Sequence, residues 1–119
     1  MSTLLIIEDD HETRVTLRNT LEAEGYFVFS TANGIDALAL LARIKPPRLI
    51  LVDLIMPLMN GEEFLAYKSQ SSEIADIPVV AISAYSKIGV AGADAFLPKP
   101  LNLDLLLKTV RDYCSATVE

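Results

Sequence analysis

Residues 49–61 read LILVDLIMPLMNG, a short apolar run that ends on Asp53 and continues into a loop containing Pro57 and Asn60-Gly61. Four consecutive apolar residues bounded by turn-forming residues are typical of a strand buried on both faces of a parallel sheet. Proline and Asn-Gly mark turns, so the strand ends where the aspartate stands. We therefore expect a buried strand, an aspartate at its carboxyl end and a helix after the loop.

Apolar runs alternate with helix-period segments along the whole chain. Strands are predicted at residues 4–7, 26–30, 49–52, 77–82 and 95–97. Helices are predicted at about residues 12–24, 35–42 and 62–71, with a last helix that Asn102 caps. This alternation predicts an α/β fold of the flavodoxin-like, doubly wound type, a five-stranded parallel sheet of order 2-1-3-4-5 with helices on both faces.

Features of three of the helices also follow from the pattern. Gly25 stands where a left-handed cap would end the first helix. The second helix begins at Asn33-Gly34 and ends before Pro46-Pro47. Its apolar face is predicted from the spacing i, i+3, i+4 and i+7, and comprises Ile35, Leu38, Ala39 and Ala42. In the last helix, one face carries Leu103, Leu106, Leu107, Val110 and Cys114.

The composition limits the classes of function. A chain of 119 residues with 51% hydrophobic residues has the size of one domain, residues 1–119, and its apolar runs are too short to cross a membrane. A net charge of -6 argues against direct nucleic-acid binding, which needs clustered Lys and Arg. Cys114 is the only cysteine and the amino terminus lacks a basic leader, so we expect a cytoplasmic protein.

Polar residues follow four of the predicted strands. Glu8-Asp9-Asp10 follow the first strand, Asp53 the third, Ser83 the fourth and Lys99 the fifth. The carboxyl ends of parallel strands share one edge, where ligands bind in such sheets. Clustered carboxylates repel one another, so they either raise pKa values or gather a cation. Mg²⁺ fits an acidic pocket that holds one lysine and admits a phosphate.

This set of residues is sufficient for phosphoryl transfer from an activated donor. Asp53 is a carboxylate nucleophile, Lys99 and the ion neutralise charge on the transferring oxygens, and Ser83 supplies a hydroxyl donor. Each of these residue patterns, taken alone, has a simpler structural interpretation. An acidic triplet before a helix is often only a cap, and we expect Asp10 to serve as one. The combination of four sites on one edge favours the functional interpretation.

The segments LLIIEDD, LILVDLIMPLMNG, VVAISA and AGADAFLPKP together resemble the receiver domain of bacterial response regulators, CheY-like proteins of two-component signalling. The resemblance covers nearly the whole chain. It implies that Asp53 is phosphorylated, that Glu8 and Asp9 hold Mg²⁺ with Asp53, and that Ile55 adds its backbone carbonyl. It also implies that Ser83 and Lys99 contact the phosphoryl group. In the family the bond Lys99-Pro100 is often cis, and Phe96 stands at a switch position, although ordinary strand packing explains Phe96 equally well.

The resemblance also implies partners. The phosphoryl donor would be the phosphohistidine of a sensor histidine kinase or a histidine phosphotransfer protein, and a downstream protein effector would read the switched state. Such a domain is a phosphoacceptor switch rather than an enzyme. The sequence does not identify the kinase, and the chain could stand alone or be part of a larger regulator.

The sequence departs from the family between Ser83 and Lys99. Fifteen residues separate them, and the alignment is shorter than the family's by roughly one and a half helical turns. The helix between the last two strands is therefore expected to be shortened or absent, with a single turn or loop at residues 85–90. Since the family often dimerises through that face, we expect a monomer.

Ile55 and Tyr85 occupy positions that flank the path of an attacking water in the family. Both side chains are bulky and largely apolar, so we expect slow loss of the phosphoryl group.

Three other functions are weighed against this one. An aspartyl-nucleophile phosphatase needs a second aspartate two residues after Asp53, and that residue is Ile55. A flavodoxin-like cofactor carrier should cradle phosphate in its first loop, where the acids beginning at Glu8 would repel it. A pseudo-receiver would keep the fold as a docking module without phosphorylation. Intact Asp53 and Lys99 argue against that alternative, and the shortened helix favours it.

Overall fold

A computed structural model describes residues 2–84 and 90–115 of the chain. The strands are Thr3–Ile7 (β1), Phe27–Thr31 (β2), Leu49–Asp53 (β3), Val79–Ser83 (β4) and Ala95–Pro98 (β5). The helices are His11–Ala23 (α1), Gly34–Leu41 (α2), Gly61–Ser69 (α3) and Leu103–Ser115 (α4). Every predicted strand and helix among these is confirmed, with boundaries within about two residues, which is the usual uncertainty of helix ends.

The five strands form one parallel sheet of order β2-β1-β3-β4-β5, which confirms the predicted doubly wound topology. The central pairs are in register, with Leu4 opposite Leu49 and Ile50 opposite Val79. All five residues of β3 and of β4 are buried. These two strands carry continuous apolar runs because helices cover both of their faces.

Alternate residues of each strand enter two separate cores. Leu5, Ile50 and Val79 face one core, which they share with α2 and α3. Leu4 and Leu49 face the other, which they share with α1 and α4. This division follows from the strand period of two, since neighbouring side chains point to opposite faces. Among the described residues, each face of the sheet is therefore covered by two helices, and no helix covers the edge at the carboxyl ends of the strands.

A short polar side chain precedes each of the four helices in the described part of the chain. The side chain of Asp10 accepts a hydrogen bond from Thr13 N at 2.9 Å, and Asn33 accepts one from Asp36 N at 2.8 Å. Asn60 and Asn102 cap the other two helices in the same way. Gly25 follows α1 with a φ of 96°, which confirms the predicted left-handed cap. The start of each of these helices, and the end of α1, are therefore determined by residues adjacent to them in the sequence.

The predicted apolar face of α2 is wrong. Ala37 and Leu41 are buried against the sheet, whereas Ile35 is 50% exposed and Ala39 is also exposed. The segment from Ala37 onward is apolar on every side, so its spacing fits more than one face and packing selects among them. Leu103 of the last helix is also exposed, at the first turn of α4.

The predicted loss of the helix between β4 and β5 falls mainly on residues 85–89, which lie outside the described residues. Within the described part of the connection, Ala84 and residues 90–94, no helix is present. In the described part of the chain, none of the helices is long and apolar enough to cross a bilayer.

Leu58 has a φ of 69° and a side chain that is 78% exposed. The left-handed conformation costs a residue with a Cβ roughly 1 to 2 kcal/mol, and the greater freedom of glycine in the unfolded chain offsets about 0.4 to 1 kcal/mol of that gain. Leu58→Gly should therefore raise the free energy of unfolding by about 0.5 to 1 kcal/mol, measured by urea denaturation. Leu58→Ala keeps the strain and is the control; a glycine variant no more stable than the alanine variant would contradict the explanation.

Candidate functional site

Four strand ends bring the predicted site residues to the open edge of the sheet. Glu8 directly follows β1, Asp53 ends β3, Ser83 ends β4 and Lys99 directly follows β5. The register places Asp53 beside Ile82 and Ser83 beside Pro98, so neighbouring strands end at the same level. The parallel topology therefore assembles these side chains from segments that are far apart in the sequence.

Lys99 lies between two of the carboxylates. Its Nζ is 2.9 Å from Asp53 Oδ2 and 3.0 Å from Glu8 Oε1. The other oxygen of Asp53, Oδ1, accepts a hydrogen bond from Ile55 N at 3.0 Å. Glu8 is further held by Asp10 N, which donates to Glu8 Oε2 at 3.1 Å. These bonds fix the orientation of both carboxylates before any ligand is bound.

Asp9 completes a group of three acids. Glu8, Asp9 and Asp53 each offer a carboxylate oxygen, and the three oxygens lie within 4.8 Å of one another. Glu8 is 1% exposed and Asp53 5% exposed, whereas Asp9 is exposed. Oxygen ligands on a partly open site suit Mg²⁺, which keeps several of its waters and tolerates few protein carboxylates. The donor set therefore fits a magnesium ion.

The clustered carboxylates shift the pKa values of Glu8 and Lys99, and a bound cation would reduce the repulsion among the carboxylates. Burial, and then the hydrogen bond with neighbouring Asp53, raise the pKa of Glu8 from 4.5 to about 7. Burial acts to lower the pKa of Lys99, but its hydrogen bonds to Asp53 and Glu8 outweigh that effect and raise the pKa. One ammonium thus faces two buried carboxylates, and a second cation would let Glu8 ionise fully.

The remaining predicted residues occupy consistent positions. Ser83 is buried at the end of β4, and Lys99 N donates to Ser83 O at 2.8 Å. Phe96 is half-buried against the core shared with α2 and α3. Ile55 directs a side chain that is 54% exposed away from the core. The bond Lys99-Pro100 is cis, as the resemblance implied. The roles of these residues stay predictions.

Two contributors to the site were not predicted. Gly61 N donates to Leu54 O at 3.0 Å, and the main chain of Asp53 and Leu54 lies so close to Gly61 that it leaves no room for a Cβ. Arg14 donates to the main chain of Glu8. Asn60-Gly61 indicated only a turn, and an arginine one turn into a helix is most often solvated, so neither residue type signalled its contact.

The doubly wound parallel sheet, with three carboxylates, a serine and a lysine gathered at one edge, defines a flavodoxin-like α/β domain with an acidic site at the carboxyl ends of its strands. Comparison with known proteins identifies the family to which this domain belongs. A family model described as the response regulator receiver domain matches residues 4–111. The chain belongs to this family. Receiver domains are signalling switches of two-component systems that interact with histidine kinases and downstream effectors.

Individual relatives match over almost the full chain. The polar-differentiation response regulator DivK of Brucella anthropi is 32% identical, over 92% of this chain and 94% of the relative. The signal receiver domain of a histidine kinase from Syntrophus aciditrophicus superposes with a TM-score of 0.90 at 27% identity, covering 98% and 92% of the two chains. The chemotaxis response regulator CheY4 of Vibrio cholerae has a TM-score of 0.87 at 29% identity, covering 95% and 98%.

Proposed function

We propose that this chain is a single receiver domain, residues 1–119, that accepts a phosphoryl group on Asp53 and switches conformation to signal a protein effector. The donor is the phosphohistidine of a sensor histidine kinase or a histidine phosphotransfer protein. The observation that carries the proposal is the pairing of Asp53 with Lys99 at 2.9 Å inside the acid group. A nucleophilic carboxylate and a cation for the transferring oxygens thus lie side by side.

In the transfer, an oxygen of Asp53 attacks phosphorus and the phosphorus–nitrogen bond to the donor imidazole breaks. The electron pair of that bond stays on the imidazole nitrogen, and an aspartyl phosphate forms. Lys99 would neutralise charge on the phosphoryl oxygens, and the Ser83 hydroxyl would donate to one of them. Ile55 N keeps the carboxylate oriented through its 3.0 Å hydrogen bond. Positioning and electrostatics suffice, because the donor is already activated.

Glu8, Asp9 and Asp53 would hold Mg²⁺, with the backbone carbonyl of Ile55 as a further ligand. When bound, the ion would neutralise the charge that builds up when a phosphate approaches three carboxylates. The fit rests on the 4.8 Å grouping of their oxygens. Phe96 and Ser83 would carry the change of state to the surface, and the domain would act as a monomer.

The proposal is tested by incubating the protein with Mg²⁺ and acetyl phosphate and following intact mass. We expect one phosphoryl adduct on the wild type, none on Asp53→Asn, and none when EDTA removes the metal. Asp36→Asn, which removes an exposed aspartate on α2, is the matched control and should keep the adduct. No adduct on the wild type would favour a pseudo-receiver, and an adduct that survives Asp53→Asn would overturn the assignment of the acceptor.

Ile55→Asn should shorten the lifetime of the phosphorylated state severalfold. The exposed Ile55 side chain stands two residues from the acceptor and hinders an attacking water, whereas an amide would hydrogen-bond that water. The half-life is measured by the decay of the adduct after the donor is removed. Leu58→Asn makes the same kind of change farther along the loop and should leave the half-life unchanged; equal half-lives for wild type and Ile55→Asn would contradict the prediction.

A further inference from the structure

Arg14 lies one turn into α1 and points back to the loop between β1 and α1. Its Nη1 donates to Glu8 O at 2.8 Å and lies 3.4 Å from Asp9 O. Its Nη2 lies 3.2 Å from His11 Nδ1. One guanidinium therefore binds the main chain of two consecutive residues, and these are two of the three members of the acid group.

Repulsion between carboxylates acts on the loop that Arg14 binds. The carboxylates of Glu8, Asp9 and Asp53 repel one another when ionised, and the repulsion acts to move the loop away from the end of β3. The backbone of Glu8 is also tied to the sheet, since Glu8 N donates to Thr31 O at 3.0 Å. Asp9 lies one residue farther from the sheet, on the exposed side of the loop. A donor on the carbonyls of Glu8 and Asp9 opposes this movement.

We propose that Arg14 is a positioning residue for the metal site, whose guanidinium holds the carboxylates of Glu8 and Asp9 as a preformed pair of ligands. This inference rests on the proposed magnesium site. Groups that orient metal ligands typically change metal affinity by about 10- to 100-fold when they are removed. Arg14 acts through main-chain carbonyls, so it touches neither the ion nor the phosphoryl group.

Removing the positive charge of Arg14 and removing its hydrogen bonds should change the affinity for Mg²⁺ in opposite directions. A cation near the site repels Mg²⁺, so removing its charge alone would tighten binding. Removing a group that holds the ligands in place weakens binding. Arg14→Met should therefore raise the Kd for Mg²⁺ by about tenfold, whereas a charge effect would lower it.

Arg14→Lys separates geometry from charge. Lysine keeps the positive charge but lacks the planar fork that serves two carbonyls and a ring nitrogen at once. We expect its Kd for Mg²⁺ to fall between those of the wild type and Arg14→Met. Arg18→Met is the matched control, because Arg18 is one turn further along α1 and pairs with Glu22, at 3.2 Å on the exposed face. That variant should bind Mg²⁺ as the wild type does.

The experiment titrates Mg²⁺ alone into each full-length protein, without a phosphoryl donor, and follows the amide resonances around Asp53 by NMR. Urea denaturation in EDTA establishes that each variant is folded at the titration temperature. A wild type that shows no Mg²⁺-dependent shifts would overturn the proposed metal site itself. A wild type that binds, with Arg14→Met binding equally or more tightly, would overturn the role of Arg14 and leave the metal site standing. A loss of stability in Arg14→Met with an unchanged Kd would likewise overturn it.

Discussion

Replacing Gly61 by alanine is expected to lower the free energy of unfolding by about 2 to 3 kcal/mol, because adding a methyl group to a closed contact forces the backbone to shift. A Cβ on Gly61 would lie 2.7 Å from Asp53 O and 2.7 Å from Leu54 Cα, closer than real Cβ atoms approach other atoms. Both neighbours belong to the main chain, so a rotamer change cannot relieve the overlap. The measurement is urea denaturation of both proteins at one pH.

Gly34→Ala is a closely matched control for this prediction. Gly34 and Gly61 are each the first residue of a helix and each follows an asparagine cap. A Cβ on Gly34 would also be crowded, at 2.8 Å, but by the sulfur of Met59 on a flexible side chain. Methionine adapts readily to a change of shape, so we expect a loss below about 1 kcal/mol. Equal losses in the two variants would contradict the backbone explanation.

The same substitution should also affect the site. Gly61 packs on the carbonyl of the residue that is proposed to accept the phosphoryl group, and a shift there moves the end of β3 relative to Glu8. Gly61→Ala should therefore slow formation of the adduct with acetyl phosphate even at temperatures where the variant is fully folded. Gly34→Ala should leave this rate unchanged.

The metal-free protein is expected to lose stability as the pH rises from 4.5 to about 7, by up to about 3 kcal/mol, since one pKa unit corresponds to about 1.4 kcal/mol. Burial and then Asp53 raise the pKa of Glu8 from 4.5 to about 7 in the folded protein. In that window the folded state holds a proton that the unfolded chain has released. The folded state binds more protons, so its stability falls with rising pH until Glu8 is ionised in both states.

The measurement is urea denaturation in EDTA at several pH values. Glu8→Gln should flatten the pH dependence, and Glu73→Gln, at an exposed position, should retain it. Saturating Mg²⁺ should stabilise the protein most at high pH, because ligand that binds the folded state alone adds to its stability and Glu8 must be ionised to serve as a ligand. A metal-free protein whose stability is unchanged between pH 4.5 and about 7 would contradict the account of Glu8.

Local signals were sufficient to locate most elements of the fold. Asp10 and Asn102 each cap a helix, and Gly25 ends one, because capping depends on a few neighbouring residues. The buried strands could be recognised in the sequence because helices cover both of their faces, and such strands consist of a continuous apolar run. The apolar face of α2 was not predictable, since an apolar run on every side of the helix leaves packing against the sheet to decide that Ala37 is buried and Ile35 exposed.

The sequence predicted which residues form the candidate site, but it did not predict which of these residues contact one another. Glu8, Asp53, Ser83 and Lys99 could be grouped because parallel strands end at a common edge, which is a property of topology. The sequence did not reveal which carboxylates Lys99 would pair with, nor that burial and Asp53 would raise the pKa of Glu8. Those features depend on distances of a few ångströms between segments far apart in the chain.

The sequence by itself determined the order of strands and helices, the family and the residues at the carboxyl ends of the strands, because periodicity and caps are local and topology follows from their alternation. The tertiary structure alone decided that Arg14 binds the carbonyl of Glu8 and that Gly61 packs on the main chain of Asp53. An arginine or a glycine has no preferred partner until the chain is folded, so its contact is set by the packing of elements and not by the residues beside it.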